Sequence, residues 1–200
     1  MKSGLAAMIY AIKAIKTSGI ELKGRIGLIL VPDEETGGAL GSRFLSDTGR
    51  LGNQGIGMLI PEPTSGVIWN ANRGAVSLKV TVKGKPMHVG LQYRGVNAFE
   101  QMLDVARAVQ VLKQEVEVKS TDYNIHPEQA RRSILMMGGE CEGGSNFNLV
   151  PGTCSFTIDR RINPEENLET EKQKILDTLE ACRQKGIDIA VDIFQEEKPA

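Results

Sequence analysis

The hydrophobic pattern of the chain changes its period near Arg73 and Gly74, and this change constrains the fold more than any other feature. Before it, residues 25–31 and 56–60 are almost continuously apolar. Such short runs are typical of strands buried on both faces of a parallel sheet. After it, apolar and polar residues alternate over residues 76–82, which is typical of a strand with one buried face. The sequence therefore predicts two halves of different architecture.

The first half has the pattern of an α/β layer. Apolar residues at helical spacing over residues 5–15 predict a helix. The two apolar runs predict strands, and a short helix is expected between them over residues 39–45. This alternation of strands and helices is typical of a sheet covered by helices.

The second half has the pattern of a split β-α-β arrangement. After the strand at residues 76–82, an amphipathic helix is predicted over residues 97–116, with Phe99 in its apolar stripe. Strands are predicted at residues 133–137, 153–162 and 187–194, and a second helix over residues 163–185, with Asn163 as its cap and Pro164 at its first position. The order β-α-β-β-α-β predicts a ferredoxin-like fold.

Composition argues against two classes of partner. The 24 basic residues are balanced by 25 acidic ones, and aromatic residues make up 4% of the chain, so neither a basic patch nor an aromatic platform favours binding of RNA or DNA. No apolar run approaches the ~20 residues of a membrane helix, and the N-terminus has no signal-peptide layout. The three cysteines have no CxxC spacing, which indicates reduced thiols and a cytoplasmic location.

Acidic residues follow both apolar runs of the first half. Asp33, Glu34 and Glu35 come after the first run, and Glu62 comes after the second between two prolines. Because ligands bind beyond the carboxyl ends of parallel strands, we expect these carboxylates to share one edge of the sheet. A divalent cation would offset their mutual repulsion, and an adjacent pair allows one ligand and one general base. A solvated acidic turn is the alternative that this spacing leaves open.

The second half contributes further polar candidates. His88 lies in a loop after the first alternating strand, where a purely structural histidine is an equally good interpretation. His126 is interpreted as a surface loop residue. Arg160 and Arg161 are adjacent at the end of a strand, so their side chains point to opposite faces and only one of them can face a given site.

Taken together, these segments resemble the zinc amidohydrolase and exopeptidase family of acetylornithine deacetylase, succinyl-diaminopimelate desuccinylase, aminoacylase and carboxypeptidase G. The resemblance covers nearly the whole chain. It rests on MKSGLAAM at residues 1–8, PDEETGG at 32–38, PEPT at 61–64, KGKPMHVG at 83–90, GVNAFE at 95–100, NLVPG at 148–152 and DRR at 159–161.

The resemblance implies a role for each matching residue of the first half. Glu34 would be the general base, Glu35 would bind one metal ion and Glu62 the other. The complete site of this family holds two zinc ions, with cobalt as an alternative. The substrate would be an N-acyl amino acid or a short peptide, whose amide bond is hydrolysed.

The resemblance also assigns residues 1–73 to part of the α/β catalytic domain and residues 74–195 to a ferredoxin-like lid and dimerisation domain. His88 would stabilise the oxyanion, often in the site of a neighbouring subunit, while Asn148 and Arg161 would hold the substrate. A homodimer through the lid is expected. Lys79, Lys83 and Lys85 would protect the first lid strand from edge pairing, which leaves the other edge or the helix at 97–116 as the contact.

The chain departs from the family pattern in its metal ligands. The family has a His-x-Asp segment, a bridging Asp immediately before the segment that matches Met1, and a later histidine, and none of these is in the sequence. We therefore expect an internal piece of the enzyme that is inactive by itself. The rival interpretation is a non-catalytic dimerisation or binding module.

Overall fold

The computed structural model describes residues 1–52 and 55–200, which divide into two compact units, 1–70 and 71–200. The first unit contains helix α1 (Lys2–Thr17), a 3₁₀ turn (Glu34–Thr36) and helix α2 (Ser42–Asp47). The second unit contains β1 (Gly74–Lys83), β2 (Met87–His88), a 3₁₀ segment (Val89–Arg94), α3 (Ala98–Glu117), a 3₁₀ turn (Glu128–Arg131), β3 (Ile134–Gly143), β4 (Leu149–Val150), β5 (Thr153–Ile162), α4 (Leu168–Arg183) and β6 (Asp188–Glu197).

The second unit has the predicted ferredoxin-like topology. Four strands form one antiparallel sheet in the order β3-β5-β1-β6, and β2 pairs with β4 in a separate two-stranded sheet. Helices α3 and α4 both pack on one face of the four-stranded sheet. The position of β1 corrects one inference from the sequence, because this strand is central and paired on both sides. Its lysines therefore do not protect an edge, and the two free edges are β3 and β6.

The alternation of apolar and polar residues separates the two faces of the sheet. The face under the helices carries residues such as Leu78, Val80 and Ile158, all fully buried. Truncating a side chain of this size to alanine in such a core typically costs ~2–5 kcal/mol. Neither α3 nor α4 covers the opposite face, which carries polar residues of β1 and β5, among them Ser77, Lys79 and Asp159, and which is called the uncovered face below.

The two long helices begin at asparagine caps. Asn97 Oδ1 accepts hydrogen bonds from the N–H groups of Phe99 and Glu100. The buried stripe of α3 begins at Ala98, however, and Phe99 itself is exposed. The start of α4 also differs from the prediction, because the cap is Asn167 rather than Asn163.

The reason for this later start lies in a buried ionic network around Arg160. Glu166 turns its carboxylate back to accept a hydrogen bond from the Asn163 N–H at 2.9 Å and from Arg160 Nη2 at 2.7 Å. Arg160 Nη2 also donates to Glu171 Oε2 at 2.8 Å, and Lys119 Nζ donates to both glutamates. The segment before α4 is therefore shaped by contacts with β5 and with the residues after α3, rather than by its local capping pattern.

The first unit corrects the prediction of two buried strands. Within the described residues 25–31 and 56–60, no strand is formed, and Ile26, Leu30, Ile56 and Leu59 are exposed. A strand of a parallel sheet needs a neighbouring strand, and no strand is assigned among the described residues of the first unit. The short helix between them begins at Ser42 rather than at residue 39. No helix among the described residues is long and apolar enough to span a membrane.

The Arg160 network makes the stability of the second unit depend on pH. Burial opposes ionisation of Glu171 and is the largest influence, but hydrogen bonds from Lys119, Lys174 and Arg160 outweigh it and lower the pKa from 4.5 to about 2. A lowered pKa stabilises the folded state above the pKa of the unfolded chain. We expect the free energy of unfolding to fall by roughly 3 kcal/mol as pH falls from about 5 to about 2, because Glu171 then loses its charge.

Urea unfolding from pH 7 to pH 2 tests this expectation with two variants. Glu171→Gln should flatten the acidic limb and reduce the free energy of unfolding at pH 7 by about 3 kcal/mol, because Arg160 keeps its buried charge. Glu169→Gln, in the same helical turn but with an exposed side chain, should retain the wild-type profile. An unchanged acidic limb in Glu171→Gln would show that the network does not govern the pH dependence.

Candidate active-site residues

Asp33 closes the acidic loop of the first unit. Its Oδ2 accepts hydrogen bonds from the N–H groups of Leu40 and Gly41, both at 2.9 Å. A Cβ atom at Gly41 would lie 2.0 Å from Asp33 Oδ1, so the loop requires glycine there. Gly37 adopts a φ of 91° and ends the 3₁₀ turn. Asp33 and Gly41 of this segment thus have structural roles that were not predicted from the sequence.

The two glutamates of this loop are presented to solvent. Glu34 and Glu35 are exposed in the 3₁₀ turn, and Glu62 is exposed in an extended segment. Residue Pro61, which precedes Glu62, packs so closely on α1 that a Cβ atom at Gly4 would lie 2.7 Å from Pro61 Cβ. The three possible metal donors thus lie in two places: Glu34 and Glu35 in the 3₁₀ turn, and Glu62 next to the proline that packs on the first turn of α1.

The described residues do not assemble a metal site by themselves. Among residues 1–52 and 55–200, no three His, Cys, Asp or Glu side chains form a group that could hold a metal ion. A protein zinc site needs three or four ligands. The carboxylates of Glu35 and Glu62 thus do not fit a closed zinc site without further donors.

In the second unit, the small β2–β4 sheet brings His88 and Asn148 together. His88 pairs with Leu149, and the N–H of Val89 donates to the carbonyl of Asn148 at 2.9 Å. The loop that carries His88 is tied at its base by two hydrogen bonds between Lys85 and Val96. This two-stranded element is too short for a periodicity to reveal it, and the sequence analysis missed it.

The hydrogen bond of His88 determines which nitrogen can donate. Nδ1 accepts a hydrogen bond from the N–H of Gly90 at 3.2 Å. A neutral imidazole with an accepting Nδ1 carries its proton on Nε2. His88 is exposed, so its Nε2–H is placed to donate to a group outside the unit. His126 lies exposed in the loop before β3, as expected.

Arg160 and Arg161 lie on opposite faces of the sheet. The Arg160 guanidinium has no exposure and is engaged by Glu166 and Glu171, so it cannot reach a ligand. The Arg161 side chain is 43% exposed on the uncovered face, where its Nε donates to Asp159 Oδ2 at 3.0 Å. The assignment of substrate contact to Arg161 stays a prediction.

Arg161 and His88 lie near opposite ends of the second unit. Arg161 pairs with Ala75 at the start of β1, whereas Thr153, next to the loop of Asn148, pairs with Lys83 at the end of β1. The eight steps along the strand from residue 153 to residue 161 span roughly 25 Å at ~3.3 Å per residue. The end of β5 that carries Arg161 is therefore remote from the end that adjoins the small sheet of His88.

Comparison with known proteins agrees with this architecture. Residues 70–183, more than half of the chain, match the model of the M20 peptidase dimerisation domain. The chain belongs to the M20 peptidase family. The predicted fold class, part of a zinc-peptidase α/β domain followed by a ferredoxin-like lid, is confirmed at this level.

Several curated relatives of the M20 chain carry one name. The present chain is 30% identical to a probable succinyl-diaminopimelate desuccinylase of Staphylococcus epidermidis, over 82% of the chain and 44% of that protein. It is 28% identical to the succinyl-diaminopimelate desuccinylase of Corynebacterium glutamicum, over 96% of the chain and 50% of that protein. The chain thus spans about half the length of the curated relatives it matches.

A solved structure gives the same fold. It belongs to a protein from Burkholderia cenocepacia assigned to the amidohydrolases and peptidases, with a TM-score of 0.50 and 19% identity over 64% of the M20 chain and 29% of that structure. At this identity the likeness concerns the fold alone.

Proposed function

We propose that this chain is part of a metal-dependent amidohydrolase that removes the acyl group from an N-acyl amino acid, with succinyl-diaminopimelate or acetylornithine as the class of substrate. The observation that carries the proposal is the similarity to desuccinylases, which extends over 82–100% of the chain. It includes residues 1–70, so the likeness is not confined to the dimerisation domain. Zinc is the proposed ion, with cobalt as the alternative.

Residues of the first unit would perform the proton transfer and help to hold the metal. Glu34 would take a proton from the attacking water, which is a task for an accessible carboxylate. Glu35 and Glu62 would each give one carboxylate to a zinc ion, and the remaining donors would come from outside the described residues. A bound zinc ion would polarise the scissile carbonyl.

Residues of the second unit would recognise the substrate across a dimer. The separation of roughly 25 Å between the two ends of β5, given the strand rise, supports a site that takes Arg161 from one subunit and His88 with Asn148 from another. His88 would donate its Nε2–H to the oxyanion that forms when water attacks. Arg161 would bind the carboxylate of the substrate.

A second candidate is a non-catalytic dimerisation module. It is favoured by the match to a dimerisation domain and by the lack of a three-donor group among the described residues. The two candidates differ in turnover, because a dimerisation module forms dimers but releases no succinate or acetate.

The first test measures acyl release and metal content in the protein made from its complete natural reading frame. We expect zinc-dependent release of succinate or acetate. Glu34→Gln should lower kcat by about 10²–10⁴-fold and retain zinc, because a general base contributes in this range. Glu35→Gln and Glu62→Gln should lower the zinc content. Exposed Glu21 of the same unit provides the control Glu21→Gln, which should match the wild type.

Two outcomes would contradict this account. Loss of zinc in Glu34→Gln with zinc retained in Glu35→Gln would mean that the two roles are reversed. A wild-type dimer that releases no acyl group from either compound would favour the dimerisation module.

The second test asks whether His88 acts in a neighbouring subunit. Glu34→Gln and His88→Ala proteins, each nearly inactive, are mixed and allowed to exchange subunits. If His88 acts in trans, a heterodimer contains one site with both residues, and activity should recover toward about a quarter of the wild-type level, as expected for random twofold pairing. His126→Ala is the control and should be active without mixing. Lack of recovery, with exchange shown by mass spectrometry, would place His88 in the site of its own chain.

A further inference from the structure

Four polar side chains form a line across the uncovered face of the sheet. From β6 to β5, Ser77 Oγ lies 3.1 Å from Gln195 Oε1 and 3.0 Å from Asp159 Oδ1. Asp159 Oδ2 then accepts the Nε–H of Arg161 at 3.0 Å. The line joins three strands, and it ends at the arginine that the proposed function assigns to the substrate.

The single hydroxyl hydrogen of Ser77 determines the direction in which the hydrogen bonds of this line are donated. A hydroxyl has one hydrogen to donate, and a bond to the Asp159 carboxylate is the stronger of the two because the acceptor is charged. Rotation of the Gln195 amide by 180° then directs an N–H group at Ser77 Oγ. Each donor thus points toward Asp159, and the carboxylate has one oxygen for Ser77 and the other for Arg161.

This arrangement determines which edge of the Arg161 guanidinium remains available. Nε is occupied by Asp159, and among the described residues neither Nη1 nor Nη2 of Arg161 has a hydrogen-bond partner. The two terminal NH₂ groups form a planar fork that matches a carboxylate. A ligand carboxylate therefore meets the end of the guanidinium rather than its Nε side.

The backbone of Arg161 is held from the other face of the sheet. The Nη1 of buried Arg160 donates to the carbonyl of Arg161, and Glu166 and Glu171 fix that guanidinium. A binding group performs best when its neighbours restrict both its backbone and its side chain. Arg161 has this support from both faces.

The Asp159–Arg161 ion pair is too exposed to contribute much to the stability of the fold, so a role in positioning Arg161 explains it better. An ion pair as exposed as Asp159–Arg161, with side chains 23% and 43% exposed, typically contributes only ~0.2–1 kcal/mol to folding. Removing the Asp159 charge should therefore leave the fold intact while it releases the Arg161 side chain.

We propose that Asp159 is a positioning residue for Arg161, that Ser77 holds Asp159, and that the site consequently selects substrates with a free carboxylate next to the scissile amide. This inference rests on the proposed function for its substrate class. It adds the selection of the acid over its neutral amide and names the residues responsible.

Paired substrates test the selection. One is succinyl-diaminopimelate, and the other is the same compound with the carboxylate beside the scissile amide replaced by a carboxamide. Asp159→Asn should raise KM for the acid about tenfold and change kcat less than about threefold, since the lost interaction is made equally before and during the reaction. KM for the carboxamide should not change. Ser77→Ala should give a smaller shift in the same direction. Asp192→Asn is the matched control, because Asp192 is an exposed residue of β6 that is not bonded to Arg161.

A second readout does not need turnover. In the full 200-residue chain, the Arg161 Nε–H resonance in a ¹H–¹⁵N NMR spectrum should be protected from exchange with water, and Asp159→Asn but not Asp192→Asn should remove that protection. If the wild type hydrolyses neither compound, the proposed function fails and this spectrum alone decides the positioning role. Equal losses on both substrates in Asp159→Asn, or a protected Arg161 Nε–H in that variant, would overturn the inference.

Discussion

The Arg160 guanidinium has no contact with solvent, and two carboxylates, Glu166 and Glu171, hold it there. Leaving a buried cation without a partner typically costs ~3–5 kcal/mol, so the segments that supply its partners must stay in place around the guanidinium. They join β5, the start of α4 and Lys119 after α3. Because adjacent strand residues alternate in direction, a fixed Arg160 also determines that Arg161 emerges on the uncovered face. A structural contact and a candidate binding group are thus neighbours in sequence.

The same sheet separates the candidate substrate contacts along its length. His88 and Asn148 belong to the loops at one end of β1 and β5, and Arg161 lies toward the other end. In the proposed function, one unit would therefore contribute these residues to two different sites of a twofold assembly. In the proposed function, carboxylates of the first unit contribute to the metal site, and the described residues contain no group of three donors that could hold the ion by itself.

Local patterns predicted much of the second unit. The alternation in β1 and the apolar stripe of α3 were readable because each depends on neighbours within a few residues. The start of α4 was not, because Glu166 is drawn away from a helix start by Arg160 and Lys119, which are distant in sequence. The central position of β1 was also misjudged, since charges on a strand do not report its neighbours in the sheet.

The first unit shows the opposite limit of sequence reasoning. Apolar runs such as residues 25–31 have the composition of buried strands, but a strand forms only where hydrogen-bonded neighbours exist. Of the candidate site, the residue types and the glutamate loop were predictable from the sequence, with their roles still proposals. The support of Arg161 by Asp159 was not recognised, although the two are two positions apart in a strand and therefore share a face.

The central claim is that the sheet around Arg160 is the stable part of this chain, whereas the described residues of the two apolar runs in the first unit form no strand. Amide hydrogen exchange, resolved by residue on the 200-residue chain at neutral pH, tests this claim most directly. The account predicts that the slowest amides lie in β1 and in β5 near Arg160, and that residues 25–31 and 56–60 exchange rapidly. Protection of residues 25–31 equal to that of β1 would contradict it, because it would show that these residues form paired strands.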